Sequence, residues 1–120
     1  MLLYELLQIE EGLYSKIAII GDKKIYNQLK KYENEFLEFE FFETFEDYPK
    51  KKRIFRRVIN SLKNVDYKKI YESIHHQGFL ITTPNIYEYK LIQKLYDINF
   101  VAVNETDKYI VAKRMHGWGN

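Results

Sequence analysis

The segment KIAIIGD, residues 16–22, constrains the fold most. Its apolar core, residues 17–20, is continuous, whereas a strand with one wet face alternates apolar and polar residues. A continuous run of this length marks a strand covered on both faces, as in a parallel sheet flanked by helices. Asp22 then stands where a helix N-cap is needed, ahead of a stripe formed by Ile25, Leu29, Tyr32 and Phe36. LEFEFFE, residues 37–43, sets Leu37, Phe39 and Phe41 against Glu38 and Glu40. That alternation predicts a strand with one wetter face, near a sheet edge.

The flanking segments extend this order. Leu2, Leu3, Leu6, Leu7 and Ile9 lie at helical spacing over residues 2–11, with Gly12 as the stop. Pro49 suits a first helical turn, and Ile54, Phe55, Val58, Ile59 and Leu62 form a stripe that predicts a helix over residues 50–63. Tyr67, Ile70, Tyr71 and Ile74 predict another helix from Asp66, stopped by Gly78. GFLITT reads as a second buried strand. Pro84 or Asn85 opens a helix with Ile86, Tyr89, Leu91, Ile92, Leu95 and Tyr96, and NFVAV and KYIVAK form a hairpin across NETD. The order α-β-α-β-α-α-β-α-β-β predicts an α/β, three-layer, Rossmann-like domain with a mainly parallel sheet and an antiparallel C-terminal hairpin strand. One domain over residues 1–114 is expected, with 115–120 as a tail; no repeat or linker divides the 120 residues.

Charge is unevenly placed. Residues 1–48 carry five Lys against eleven Asp and Glu, and residues 49–120 carry fourteen Lys and Arg against six acids. Either the two halves attract within one fold, or the second presents a basic face to an anionic partner. The chain has no cysteine, which excludes disulfides, thiolate metal sites and cysteine nucleophiles. No apolar run approaches the roughly 20 residues of a membrane helix. MLLYELLQIEEG lacks the basic start of a signal peptide, so a cytoplasmic protein with no membrane partner is the expectation.

Three groups of residues bear on chemistry. His75 and His76 are adjacent; on a helix they would point about 100° apart, unsuited to one metal, and a helix C-terminus suits imidazole. No metal is therefore expected. Thr82, Thr83 and Asn85 follow a parallel strand at its carboxyl end, and Gly21 and Asp22 do the same after the first strand. Ligands of open α/β sheets bind at that edge, although turn and cap chemistry would use the same residue types. PKKKRIFRR, residues 49–57, is the densest basic stretch. On a helix, Lys52, Arg53, Arg56 and Arg57 would offer a phosphate-binding surface for nucleic acid, or simply a solvated face. The aromatics sit mostly at core spacing, and Trp118 in the GWG tail stands apart.

YKKIYESIHHQGFLITT and YKLIQKLYDINFVAVNETDKYIVAKR, together with LLYELLQIEEGLYSKIAIIGD, resemble class I S-adenosylmethionine-dependent methyltransferases and the related polyamine aminopropyltransferases such as spermidine synthase. The likeness is one of pattern and order over about two-thirds of the chain. It implies a ligand containing adenosine, S-adenosylmethionine or its decarboxylated analogue, held at Gly21, Asp22, Glu43, Thr82, Thr83 and Asn85. An acid after the second strand would bind ribose hydroxyls, and Glu43 and Glu46 are the candidates. The chain departs from the family in having Gly21 alone in place of a glycine-rich loop. Between Phe45 and Gly78 the pattern is helical throughout, so the family's central fourth strand, with its catalytic Asp or Asn-Pro signature, has no visible counterpart. Catalysis has no support in the residues, and the remaining partner classes are nucleic acid, another protein or a second copy of the chain.

Overall fold

A computed structural model describes residues 3–84 and 88–115. The strands are β1 (Ser15–Ile20), β2 (Leu37–Phe42), β3 (Phe55–Asn60), β4 (Ile74–Thr82), β5 (Phe100–Glu105) and β6 (Ile110–Arg114). The helices are α1 (Leu3–Leu6), α2 (Lys23–Leu29), α3 (Tyr67–Ser73) and α4 (Glu88–Asp97). All six strands form one sheet in the order β2-β1-β3-β4-β6-β5. The first four are parallel, and β6 runs antiparallel to both β4 and β5.

The continuous apolar run of β1 divides between two cores. Ile17 and Ile19 join Leu6, Leu7, Ile25 and Leu29 beneath α1 and α2. Ala18 and Ile20 join Ile70, Leu80, Leu91 and Leu95 on the opposite face, beneath α3 and α4. This gives the three expected layers. β2 lies at the sheet edge, as its alternation requires, with Leu37 and Phe39 buried and Glu38 exposed. Asp22 caps α2, its Oδ1 accepting Lys24 N–H at 2.9 Å, and Asp66 caps α3 through Lys68 and Lys69 N–H.

Several expectations are corrected. The helix over residues 50–63 does not form: residues 55–60 are β3, between β1 and β4 at the centre of the sheet. Residues 54, 55, 58, 59 and 62 are spaced for a helical stripe, but the segment is buried on both faces, and a burial pattern of that kind has no period to read. Pro49 lies in coil ahead of β3 and opens no helix. β3 is thus the central strand that the pattern of residues 45–78 concealed.

Arg57 explains the concealment. It is 8% exposed in the middle of a sheet. Its Nε donates to Leu7 O at 2.7 Å, its Nη2 to Gln8 O at 3.3 Å, and its guanidinium lies 4.4 Å from the centre of the Phe79 ring. The carbonyls left open at the end of α1 thus receive a cation that local pattern assigns to solvent.

Gly78 does not stop a helix. α3 ends at Ser73, and Gly78 lies inside β4. Phe55 pairs with Ile74 and Arg57 with Phe79, so two residues along β3 span five along β4. The excess of three, within His75 to Gly78, is a bulge. A Cβ on Gly78 would stand 2.4 Å from Ile74 Cγ2 and 2.6 Å from Arg56 O, so close packing requires the glycine. His75 and His76 therefore belong to a strand irregularity and not to a helix end. α1 is also shorter than residues 2–11, the chain leaving helical geometry at Gln8, whose φ is 48°. On α4, Leu91 and Leu95 are buried as expected, whereas Tyr89 and Tyr96 are 68% and 63% exposed. Asn85, Ile86, His116 and Trp118 lie outside the described residues, as does most of the expected tail.

Candidate functional site

Parallel strands bring the residues that follow β1, β2, β3 and β4 to one edge. Gly21 leaves β1 with φ 94°, a conformation that side chains disfavour, and its N–H donates to Phe42 O at 2.8 Å. Glu43, exposed, comes directly after Phe42. Gly21 and Asp22 therefore follow one strand and Glu43 its parallel neighbour at the same edge. Burial, then the negative charge of Asp22, pushes the phenol of Tyr109, which precedes β6, above its ordinary pKa.

Thr82 and Thr83 arrive at the same edge in a different state. Thr82 is fully buried. Its Oγ1 accepts Asn60 Nδ2 at 3.0 Å and meets Tyr67 OH at 3.5 Å. Thr83 is half-buried and donates its N–H to Asn60 O at 3.1 Å. The sheet edge thus uses the Thr82 hydroxyl internally and leaves Thr83 nearer solvent.

Asn60 is the residue that sequence reasoning missed. Fully buried at the end of β3, it also donates Nδ2 to Leu62 O at 3.0 Å and accepts Leu62 N–H on Oδ1 at 3.1 Å. This clamp holds Leu62 over Gly21. A Cβ placed on Gly21 would be 2.7 Å from Leu62 Cγ and 2.8 Å from Cδ2. The space for close approach to Gly21 is therefore filled by an apolar side chain on a fixed backbone. With β3 unrecognised, the only sequence signal for Asn60 was a lone polar residue ending VIN.

The basic stretch lies at the opposite, amino edge. Lys52 and Arg53 are exposed, Arg56 donates Nε to Tyr14 O at 3.2 Å, and Arg57 is committed to α1. The four do not share a helix face, and Arg57 is withdrawn from any nucleic-acid surface. A cleft of about 650 Å³ opens at this edge, with Lys52 and Arg53 in its wall. Among the described residues, no group of three or more His, Cys, Asp and Glu is placed to hold a metal ion, and no helix is long and apolar enough to cross a membrane.

No protein-family model matches the chain, and no curated protein matches it significantly. Solved structures do match. A Listeria monocytogenes protein assigned as an S-adenosylmethionine-dependent methyltransferase aligns with TM-score 0.63 and 10% identity, over 94% of this chain and 96% of that one. A Bacillus halodurans protein assigned as a methyltransferase aligns with TM-score 0.59 and 8% identity, over 84% and 68%. A chain from the complex of the Haloferax volcanii Trm112 methyltransferase activator with its methyltransferase aligns with TM-score 0.57 and 11% identity, over 94% and 88%. The chain has the fold of class I S-adenosylmethionine-dependent methyltransferases.

Proposed function

We propose that the chain binds a ligand containing adenosine at the carboxyl edge of its sheet, with S-adenosylmethionine or its decarboxylated analogue as the leading classes. The observation that carries this reading is that Gly21 and Glu43 follow adjacent parallel strands, tied by the Gly21–Phe42 hydrogen bond. The Gly21 N–H is bonded to Phe42 O, so Glu43, the residue that follows β2, leaves the sheet next to the glycine turn that follows β1. A vicinal diol is held well by a carboxylate accepting two hydroxyl protons, and backbone without a side chain lets the rest of the ligand approach. Asp22 and Thr83 lie on the same edge, and Asn85 follows Thr83 in sequence. Leu62, whose side chain lies nearest to the Gly21 seat, must swing away for the ligand to reach Gly21.

The reading is one of binding. Thr82 and Asn60, the most buried polar groups here, satisfy each other and are committed to holding the edge together. Calorimetric titration of the full chain with S-adenosylmethionine, S-adenosylhomocysteine and decarboxylated S-adenosylmethionine tests the proposal. Binding is expected, with a loss of about tenfold in Glu43→Gln, in line with removal of a charge-assisted hydrogen bond. Preference for the decarboxylated ligand would place the chain with the aminopropyltransferases; preference for the other two would place it with the methyltransferases. Absence of heat and of thermal stabilisation with all three ligands refutes the reading.

A further inference from the structure

The amino-edge cleft is distinct from the proposed adenosine site and independent of it. A six-residue strand spans about 20 Å, so one small ligand cannot touch both edges. The cleft lies between the segment preceding β3, the helix α3, the turn after α4 and the end of β6. Lys52, Arg53, Lys68 and Arg114 contribute four cations to its wall, against Glu72 and Asp97. None of the four cations forms an ion pair with a described residue. A volume of about 650 Å³ is that of a pocket for a nucleotide-sized ligand.

Arg114 supplies the second observation. It is 8% exposed, its guanidinium lies 4.2 Å from the Tyr71 ring centre, and its Nη1 donates to Ile74 O. Its Nε is buried and has no hydrogen-bond partner, alone among the described side chains. A buried guanidinium N–H is costly to leave unmade, so the Arg114 charge is incompletely compensated within the fold and adds to the positive field at the cleft. The neighbourhood is already cationic. His75, in the β4 bulge, has its pKa held below the ordinary value by burial and then by Arg56, Arg114 and Arg53.

We propose that the amino-edge cleft binds a phosphate-bearing ligand of nucleotide size, with Lys52, Arg53, Lys68 and Arg114 as its anion-binding groups. Tyr71 and Ile98 form the apolar part of the wall, suited to a base or sugar face. The position is fixed by β3 crossing the sheet centre, which delivers Arg53 to α3: Arg53 N–H donates to Glu72 O at 2.9 Å.

The test uses the full chain at low salt, titrated with adenosine triphosphate, tripolyphosphate and phosphate-free adenosine. The phosphate-bearing ligands are expected to bind and adenosine is not expected to bind at this cleft. The triple variant Lys52→Gln, Arg53→Asn, Lys68→Gln should lose about tenfold or more in affinity for them. Asn is chosen at residue 53 because its φ is 54°, which Asn tolerates. The charge-matched variant Lys30→Gln, Lys31→Gln, Lys108→Gln should keep full affinity, and S-adenosylmethionine titration should be the same in both variants. The His75 imidazole should titrate at higher pH, read by NMR, when tripolyphosphate is bound. Equal losses in the two triple variants, no binding, or binding that leaves the His75 titration unmoved overturns the proposal. A single-stranded dT decamer binding more than about tenfold tighter than tripolyphosphate overturns the nucleotide-sized ligand in favour of a polynucleotide.

Discussion

Leu62→Ala separates a plug from a contact. The Leu62 side chain stands where a Gly21 Cβ would be, with Cγ at 2.7 Å, while Asn60 fixes its backbone through both N–H and C=O. A ligand approaching Gly21 must therefore rotate the side chain away without moving the main chain. Leu62 is half-buried, so lifting it off exposes a fraction of the area whose full burial is worth about 1.5–3 kcal/mol; about 1 kcal/mol is a fair figure. The wild-type chain would meet this cost on binding and Leu62→Ala would not. The variant should therefore bind S-adenosylhomocysteine about fivefold tighter by calorimetry. Its free form should be less stable by about 1 kcal/mol, a fall of a few degrees in Tm. Gly21→Ala should do the reverse, closing the seat with a methyl group and straining a φ of 94°. Unchanged or weaker binding in Leu62→Ala would show that the side chain is part of the ligand site or remote from it, and the account of Leu62 as a mobile cover would fail.

The other expectations concern the frame that holds the two edges. Gly78→Ala should destabilise the protein by about 1–3 kcal/mol, measured as a lower urea midpoint, because the added methyl meets Arg56 O and the buried Ile74 side chain. A neutral result would mean that the bulge relaxes freely. Asn60→Ala should cost about 3 kcal/mol, since it strips partners from Leu62 N–H, Leu62 C=O and the buried Thr82 hydroxyl. A loss comparable to that of an exposed Asn would remove Asn60 from the role given to it. The His75 pKa is lower in the folded chain than the ordinary 6.5, so the unfolded chain takes up its proton first. Stability from this group is thus complete above about pH 6.5 and declines as pH falls from there through the folded value. His75→Gln should flatten that acid limb in denaturation curves collected across pH, and a limb of unchanged slope would refute the assignment.

Much of the carboxyl edge was legible in the residues, because strand ends are local events. Gly21, Asp22 and Glu43 could be placed from the apolar run of β1 and the alternation of β2, and the parallel pairing of the two strands brings them together. Thr82 was placed correctly along the chain, but its use was not readable. Its hydroxyl partner, Asn60, is 22 residues away on a strand that the pattern did not reveal. The amino-edge cleft was legible only as a dense run of charge. Arg57 was grouped with Lys52, Arg53 and Arg56, yet its guanidinium turns inward to Leu7 and Gln8 while Lys52 and Arg53 face a cleft completed by Lys68 and Arg114.

By itself the sequence determined the alternation of strand and helix, the buried β1, the edge strand β2, the cap Asp22, the start of a helix at Asp66 and the antiparallel hairpin at the end. Each of these depends on a period or a cap spanning a few residues, which chain geometry imposes without regard to distant partners. Tertiary structure decided that residues 55–60 form the central strand, that Gly78 sits in a bulge, that Leu62 covers Gly21 and that four cations share one cleft. A segment buried on both faces has no polar face to give it a period. Whether Arg57 can lie in such a segment depends on carbonyls 49 and 50 residues away that accept its protons.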